Sequence, residues 1–127
     1  MKVKIDTKEK FHAITVSEAS ISATMTEELY TCLLQNLQND VKNVVLILKD
    51  TETIDDAAAK AIVNIQQKFY ESKASFVVCE LRKPVAEFLN ISGWAEAMNI
   101  TPTESEAADI VQMEELERDL LAEDENL

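Results

Sequence analysis

Val3 and Ile5, then Phe11, Ala13 or Ile14, and Val16, place apolar side chains in two short runs separated by the polar stretch Thr7–Lys10. Such runs predict two short strands joined by a turn. Thr24-Met25-Thr26-Glu27 has the spacing of a capping box, in which a hydroxyl and a carboxylate each cover a free amide at a helix start. Leu29, Leu33 and Leu37, with Tyr30 and Leu34, then recur at helical spacing up to about Asn39-Asp40. Val44-Val45-Leu46-Ile47-Leu48 is apolar without alternation, which predicts a central strand covered on both faces. A second helix is expected from about Asp56 to Tyr70, with Ala58, Ala61, Ile62, Ile65 and Phe69 on one face. Phe76–Cys79 reads as the next buried strand, and Pro84 suits the first turn of a third helix that Gly93 ends. Met98-Asn99-Ile100 predicts a short last strand. Thr103-Glu104-Ser105-Glu106 opens a last helix to about Leu121, whose strip Ala107, Ile110, Val111, Met113, Leu116 and Leu120 is most simply a face packed on the sheet.

The order β-β-α-β-α-β-α-β-α predicts a single-domain α/β fold, with a mixed, mostly parallel sheet of about five strands and about four helices. The domain is expected over residues 2–121 of the 127, leaving 122–127 as an acidic tail. Lys and Arg number 12 and Asp and Glu 24, a formal charge of −12. The charge is uneven: residues 104–127 carry ten acidic side chains and one basic one, Arg118. This balance argues against nucleic acid or an anionic membrane surface as partner, because both need cationic patches. No apolar run approaches the length of a membrane span or a signal peptide, so no membrane insertion and a cytoplasmic location are expected. Cys32 and Cys79 sit among apolar neighbours without metal-ligand spacing and are expected to be reduced core residues.

Candidate chemistry concentrates after the central strand. In Lys49-Asp50-Thr51-Glu52-Thr53-Ile54-Asp55-Asp56-Ala57-Ala58, four of ten residues are carboxylates, and the segment feeds directly into a helix. In sheets of this kind, sites gather at the carboxyl ends of the strands. Asp55 and Asp56 can each accept from the free amides of the helix's first turn, the plainer role, or take part in binding. A metal-dependent or phospho-accepting enzyme built on Asp50, Asp55 or Asp56 is the less favoured alternative. The chain has one histidine, His12, expected on a strand surface, and one glycine, Gly93, so neither a His-based nucleophilic site nor a Gly-rich phosphate loop is available. An aspartate after a buried strand also suggests a receiver domain, but the place of its required acidic pair holds Ser17-Glu18-Ala19-Ser20. No catalytic residue, metal or cofactor is expected.

Thr53-Ile54-Asp55-Asp56-Ala57-Ala58-Ala59-Lys60-Ala61-Ile62 resembles the strand–turn–helix signature of STAS domains, found in sulfate transporters and anti-sigma factor antagonists. Phe88-Leu89-Asn90-Ile91-Ser92-Gly93-Trp94 resembles the family's step before its last strand, and Ile21–Leu29 resembles the lead-in to its first helix. The resemblance spans about residues 2–121. It implies a non-enzymatic protein-interaction module that binds a kinase-type anti-sigma factor. The implied partner-binding residues are Asp55, Asp56, Ala57, Ala58 and Lys60, with Ser20, Ser22 and Thr24 from the preceding loop. An accessory subunit of a membrane transporter complex is the alternative it implies. Asp56 stands where regulated members carry the phosphorylated serine, Ala57 and Ala58 replace the next hydroxyl residue and the glycine, and Ser22 replaces a common aspartate. Asp56 therefore either holds a state like the phosphorylated one or caps the helix, and the cap is the simpler expectation.

Overall fold

The run Val44–Ile47 (β4) is buried throughout because helices cover the sheet on both sides. The computed structural model describes residues 1–125. Val3–Thr7 (β1) and His12–Val16 (β2) form an antiparallel pair, and β2 then lies parallel to β4. Phe76–Cys79 (β6) and Ile100–Thr101 (β7) extend the parallel part, giving the order β1-β2-β4-β6-β7. The last strand thus falls at 100–101 rather than 98–100; Asn99 instead accepts from the Val78 amide through its carbonyl.

Alternate residues of each strand enter opposite layers, as the two-residue period of a strand requires. Ile14, Val16, Val44, Leu46, Phe76 and Val78 meet three helices: Thr26–Leu34 (α1), Asp56–Glu71 (α2) and Lys83–Ser92 (α3). Phe69 of α2 meets Phe76 with ring centroids 5.1 Å apart. Ala13, Val45, Ile47, Val77 and Cys79 face the other way and meet Ala107 and Val111 of Glu104–Glu125 (α4). One helix covers this second face where three cover the first.

α3 starts with Pro84 in its first turn and stops at Gly93, whose φ of 87° lies in the left-handed region that glycine enters without strain. α4 starts with two side chains serving its free amides: Glu80 Oε2 accepts from Glu104 N at 2.8 Å and Thr103 Oγ1 accepts from Glu106 N at 3.2 Å.

Four expectations are corrected. The capping box at Thr24–Glu27 does not form: Thr26 Oγ1 donates to Ala23 O, and α1 is entered through a 3-10 turn at Ala23–Met25 without a side-chain cap. His12 is not a surface residue but is buried, with Nδ1 3.0 Å from Thr7 Oγ1 and Nε2 2.8 Å from Val41 O. In α4, Ala107, Ile110 and Val111 pack as expected, whereas Met113, Leu116 and Leu120 stay more than half exposed, because the helix is buried on one side only. The last helix, expected to end at about Leu121, runs to Glu125; residues 126–127, part of the expected tail, lie outside the described residues. Both cysteines are free, Cys79 buried and Cys32 half-buried.

Candidate functional site

Two strands of two residues each, absent from the sequence expectations, build the site. Ser20–Ile21 (β3) pairs in parallel with Thr53–Ile54 (β5), apart from the main sheet. Glu52 N and Thr53 N both donate to Ala19 O, at 2.7 and 3.1 Å, and Asp55 N donates to Ile21 O at 3.2 Å. Below them the fully buried Thr51 donates through Oγ1 to Glu18 O at 2.9 Å. The loop before α1 and the loop before α2 are thereby one ladder rather than two loose ends.

Asp55 completes the join. Its backbone is extended (φ −99°, ψ 174°), the geometry of a helix N-cap, and its Oδ1 accepts from Ala58 N at 2.9 Å. Its Oδ2 accepts from Ala23 N, also at 2.9 Å, across to the other loop. Asp56 does something else. It is the first residue of α2, exposed, and its Oδ1 accepts from the indole Nε1 of Trp94 at 2.9 Å. The cap is therefore Asp55 alone, and the expectation that Asp56 caps the helix is corrected: its carboxylate ties α2 to the turn after α3.

The residues singled out from sequence come together on one rim. Ser20, Thr24, Asp56, Ala57 and Lys60 are exposed and Ser22 and Asp55 half-buried, with Ser22 Oγ 3.0 Å from Thr24 Oγ1. Ala58 is the exception. It has no exposure and packs in the core, so only its amide contributes, to Asp55. Two residues the sequence reading missed border the rim. Trp94 carried a signal, as the single tryptophan directly after the single glycine. Arg82, whose Nη1 donates to Glu52 Oε1 at 3.1 Å, carried none, since 30 residues separate the pair.

A groove of about 220 Å³ runs beside the rim between α1 and α2, lined by Thr26, Tyr30, Ala57, Lys60, Ala61 and Asn64. Asn64 Nδ2 donates to Tyr30 Oη at 3.1 Å across the two helices. Among the described residues, no group of three His, Cys, Asp or Glu side chains is placed to hold a metal ion. His12 begins β2, at the opposite end of the sheet from the α2 N-terminus, so imidazole chemistry does not reach the rim. The arrangement offers a shaped surface of exposed hydroxyls, a carboxylate and an ammonium on a rigid helix start.

The STAS domain family model matches residues 2–107. The chain belongs to the STAS domain family. Solved structures agree with its STAS fold at low identity. An anti-sigma factor antagonist from Mycobacterium paratuberculosis has a TM-score of 0.75 at 14% identity, covering 87% of this chain and 93% of that chain. An anti-sigma-factor antagonist (STAS) domain protein from Planctomyces limnophilus has a TM-score of 0.73 at 16% identity, covering 87% and 97%. Murine solute carrier 26 family member A9, an anion transporter, has a TM-score of 0.69 at 11% identity; the match covers 82% of this chain and 18% of that one. No curated protein sequence matches the chain. Among the described residues no helix of this STAS domain is long and apolar enough to cross a membrane.

Proposed function

We propose that this STAS domain is a non-enzymatic, cytoplasmic interaction module of the anti-sigma factor antagonist type, and that its partner is a kinase-type anti-sigma factor. The docking surface is the rim of Ser20, Ser22, Thr24, Asp56, Ala57 and Lys60, supported from below by Asp55. The observation that carries the reading is the double acceptance by Asp55 from Ala58 N and Ala23 N, which makes one rigid surface of two loops. A pre-ordered surface binds without the cost of ordering loops at the moment of contact. Aspartate at 56 keeps the rim acidic at all times, where a serine would acquire charge only on phosphorylation. Binding is then set by the availability of the partner. A carboxylate beside exposed hydroxyls suits a partner that presents a cation and hydrogen-bond donors, and such complementarity speeds encounter.

The test is quantitative binding between the purified protein and the kinase-type anti-sigma factor of its source cells. Asp56→Lys is expected to weaken the complex by at least about tenfold, as reversal of a central interface charge does. Equal affinity for wild type and variant removes this surface from the reading. A second reading, an accessory subunit of a membrane transporter complex, is favoured by the likeness to a domain occupying 18% of an anion transporter chain. Co-purification with transporter subunits in place of a kinase and a sigma factor supports that reading instead.

A further inference from the structure

α4 leaves the sheet at β7 and runs back toward the residues that precede β2, β4 and β6, where three polar contacts pin it. Tyr70 Oη donates to Glu114 Oε1 at 2.8 Å, Asn43 Nδ2 to Glu115 Oε1 at 2.7 Å, and Arg118 Nη2 to Ser75 Oγ at 3.1 Å. Together with the burial of Ala107 and Val111, these contacts fix which side of the helix looks outward. On that outward side Met113, Leu116 and Leu120 are 60%, 56% and 61% exposed, at spacings of three and four residues that align them in one stripe. Exposed Glu117 and Asp119 flank the stripe, and exposed Asp109 and Glu106 continue its line toward the start of the helix. The one basic residue of this helix, Arg118, is turned inward to Ser75.

We propose that this face of α4 is a second docking surface, and that its occupant is a basic amphipathic helix of another protein. The spacing defines a helix-on-helix seam, in which an apolar stripe is covered by an apolar stripe. The acidic flanks select the partner's charge. Lysines or arginines beside the partner's stripe lie against Glu117 and Asp119 and those beyond its end against Glu106 and Asp109, whereas a second copy of this chain would set carboxylates against carboxylates. An anionic membrane surface is repelled by the same flanks. The stripe lies on the opposite face of the sheet from α2, so both surfaces can be occupied at once and the domain can bridge two proteins.

The probe is a fluorescein-labelled synthetic helix of about 18 residues, with leucines at i, i+3, i+4 and i+7 and lysines elsewhere, followed by anisotropy. Controls are the same composition scrambled and a glutamate-for-lysine version. Saturable binding of the basic helix alone is expected, weaker at higher ionic strength. The triple variant Met113→Ser, Leu116→Ser, Leu120→Ser should lose at least about tenfold in affinity, and Asp109→Lys with Glu117→Lys a similar factor. These side chains are exposed, and circular dichroism of each variant verifies that the fold is retained. Asp56→Lys should bind the probe unchanged, which separates this surface from the α2 rim. Equal binding of the scrambled peptide or of the triple variant, no saturable binding, or dimerisation of the protein through the stripe overturns the proposal.

Discussion

Asp55 and Asp56 are adjacent and chemically identical, yet they have separate tasks. Asp55 occupies the extended position where a carboxylate faces the free amides of a helix start, and its second oxygen reaches Ala23 N. Asp55→Ala is expected to cost about 1–2 kcal/mol in urea denaturation, the range for losing a helix cap. It should also speed hydrogen exchange at the Ala23 and Ala58 amides; unchanged exchange at Ala23 would mean that the two loops are not joined through this side chain. Asp56 points across to Trp94. A double-mutant cycle of Asp56→Ala with Trp94→Phe is expected to show a coupling of about 0.5–1 kcal/mol, as for a partly exposed hydrogen bond. Strict additivity sinks the assignment. The run Asp55-Asp56 was legible as a helix start from sequence, but which of the two caps was not, because Ala23 and Trp94 are 32 and 38 residues away in the chain.

At the scale of elements, α4 stands apart. The first sheet face is closed by α1, α2 and α3, whereas the second relies on α4, with Ala107 and Val111 as its buried side chains. Val111→Asp places an unpaired carboxylate against Val45, Ile47 and Val77, a large penalty for a buried charge. The expected result is detachment of α4 with the rest of the sheet intact, read as gained binding of a hydrophobic dye before the main unfolding transition. A single cooperative transition with no dye binding would show α4 to be integral to the core. Strands β4 and β6 and helices α2 and α3 follow their apolar spacing closely, since local pattern and burial agree there. β3 and β5 escaped the pattern because two-residue strands have too few positions to show a period. Their existence depends on Ala19 and Ile21 carbonyls finding partners beyond position 50.

Across the whole molecule, the buried Cys79 and the half-buried Tyr70 contribute to a loss of stability at high pH. Burial foremost, then the Glu80 and Glu104 carboxylates, pushes the Cys79 thiol up to about 12 from 9.0. Burial, followed by the hydrogen bond to Glu114, raises the Tyr70 hydroxyl above its usual 10.0. In the unfolded chain both ionise at their ordinary values, so between those values and the folded ones the unfolded state holds fewer protons. The contribution of these two groups to stability is therefore full below about pH 9 and is lost as pH rises toward about 12. The urea midpoint should drop over that range, and Cys79→Ser should remove part of the slope; a flat midpoint overturns the account. The sequence by itself determined the order of the main-sheet strands and the four helices, the two-faced burial of β4 and β6, the helix stop at Gly93 and the acidic bias of the last segment. All of these follow from spacing and residue type within one turn or one strand. Tertiary structure alone decided that β3 and β5 pair, that Asp55 spans two loops, that Trp94 holds Asp56 and that Met113, Leu116 and Leu120 face outward. Each of these depends on contacts, or on a missing contact, between segments tens of residues apart, which local periodicity does not encode.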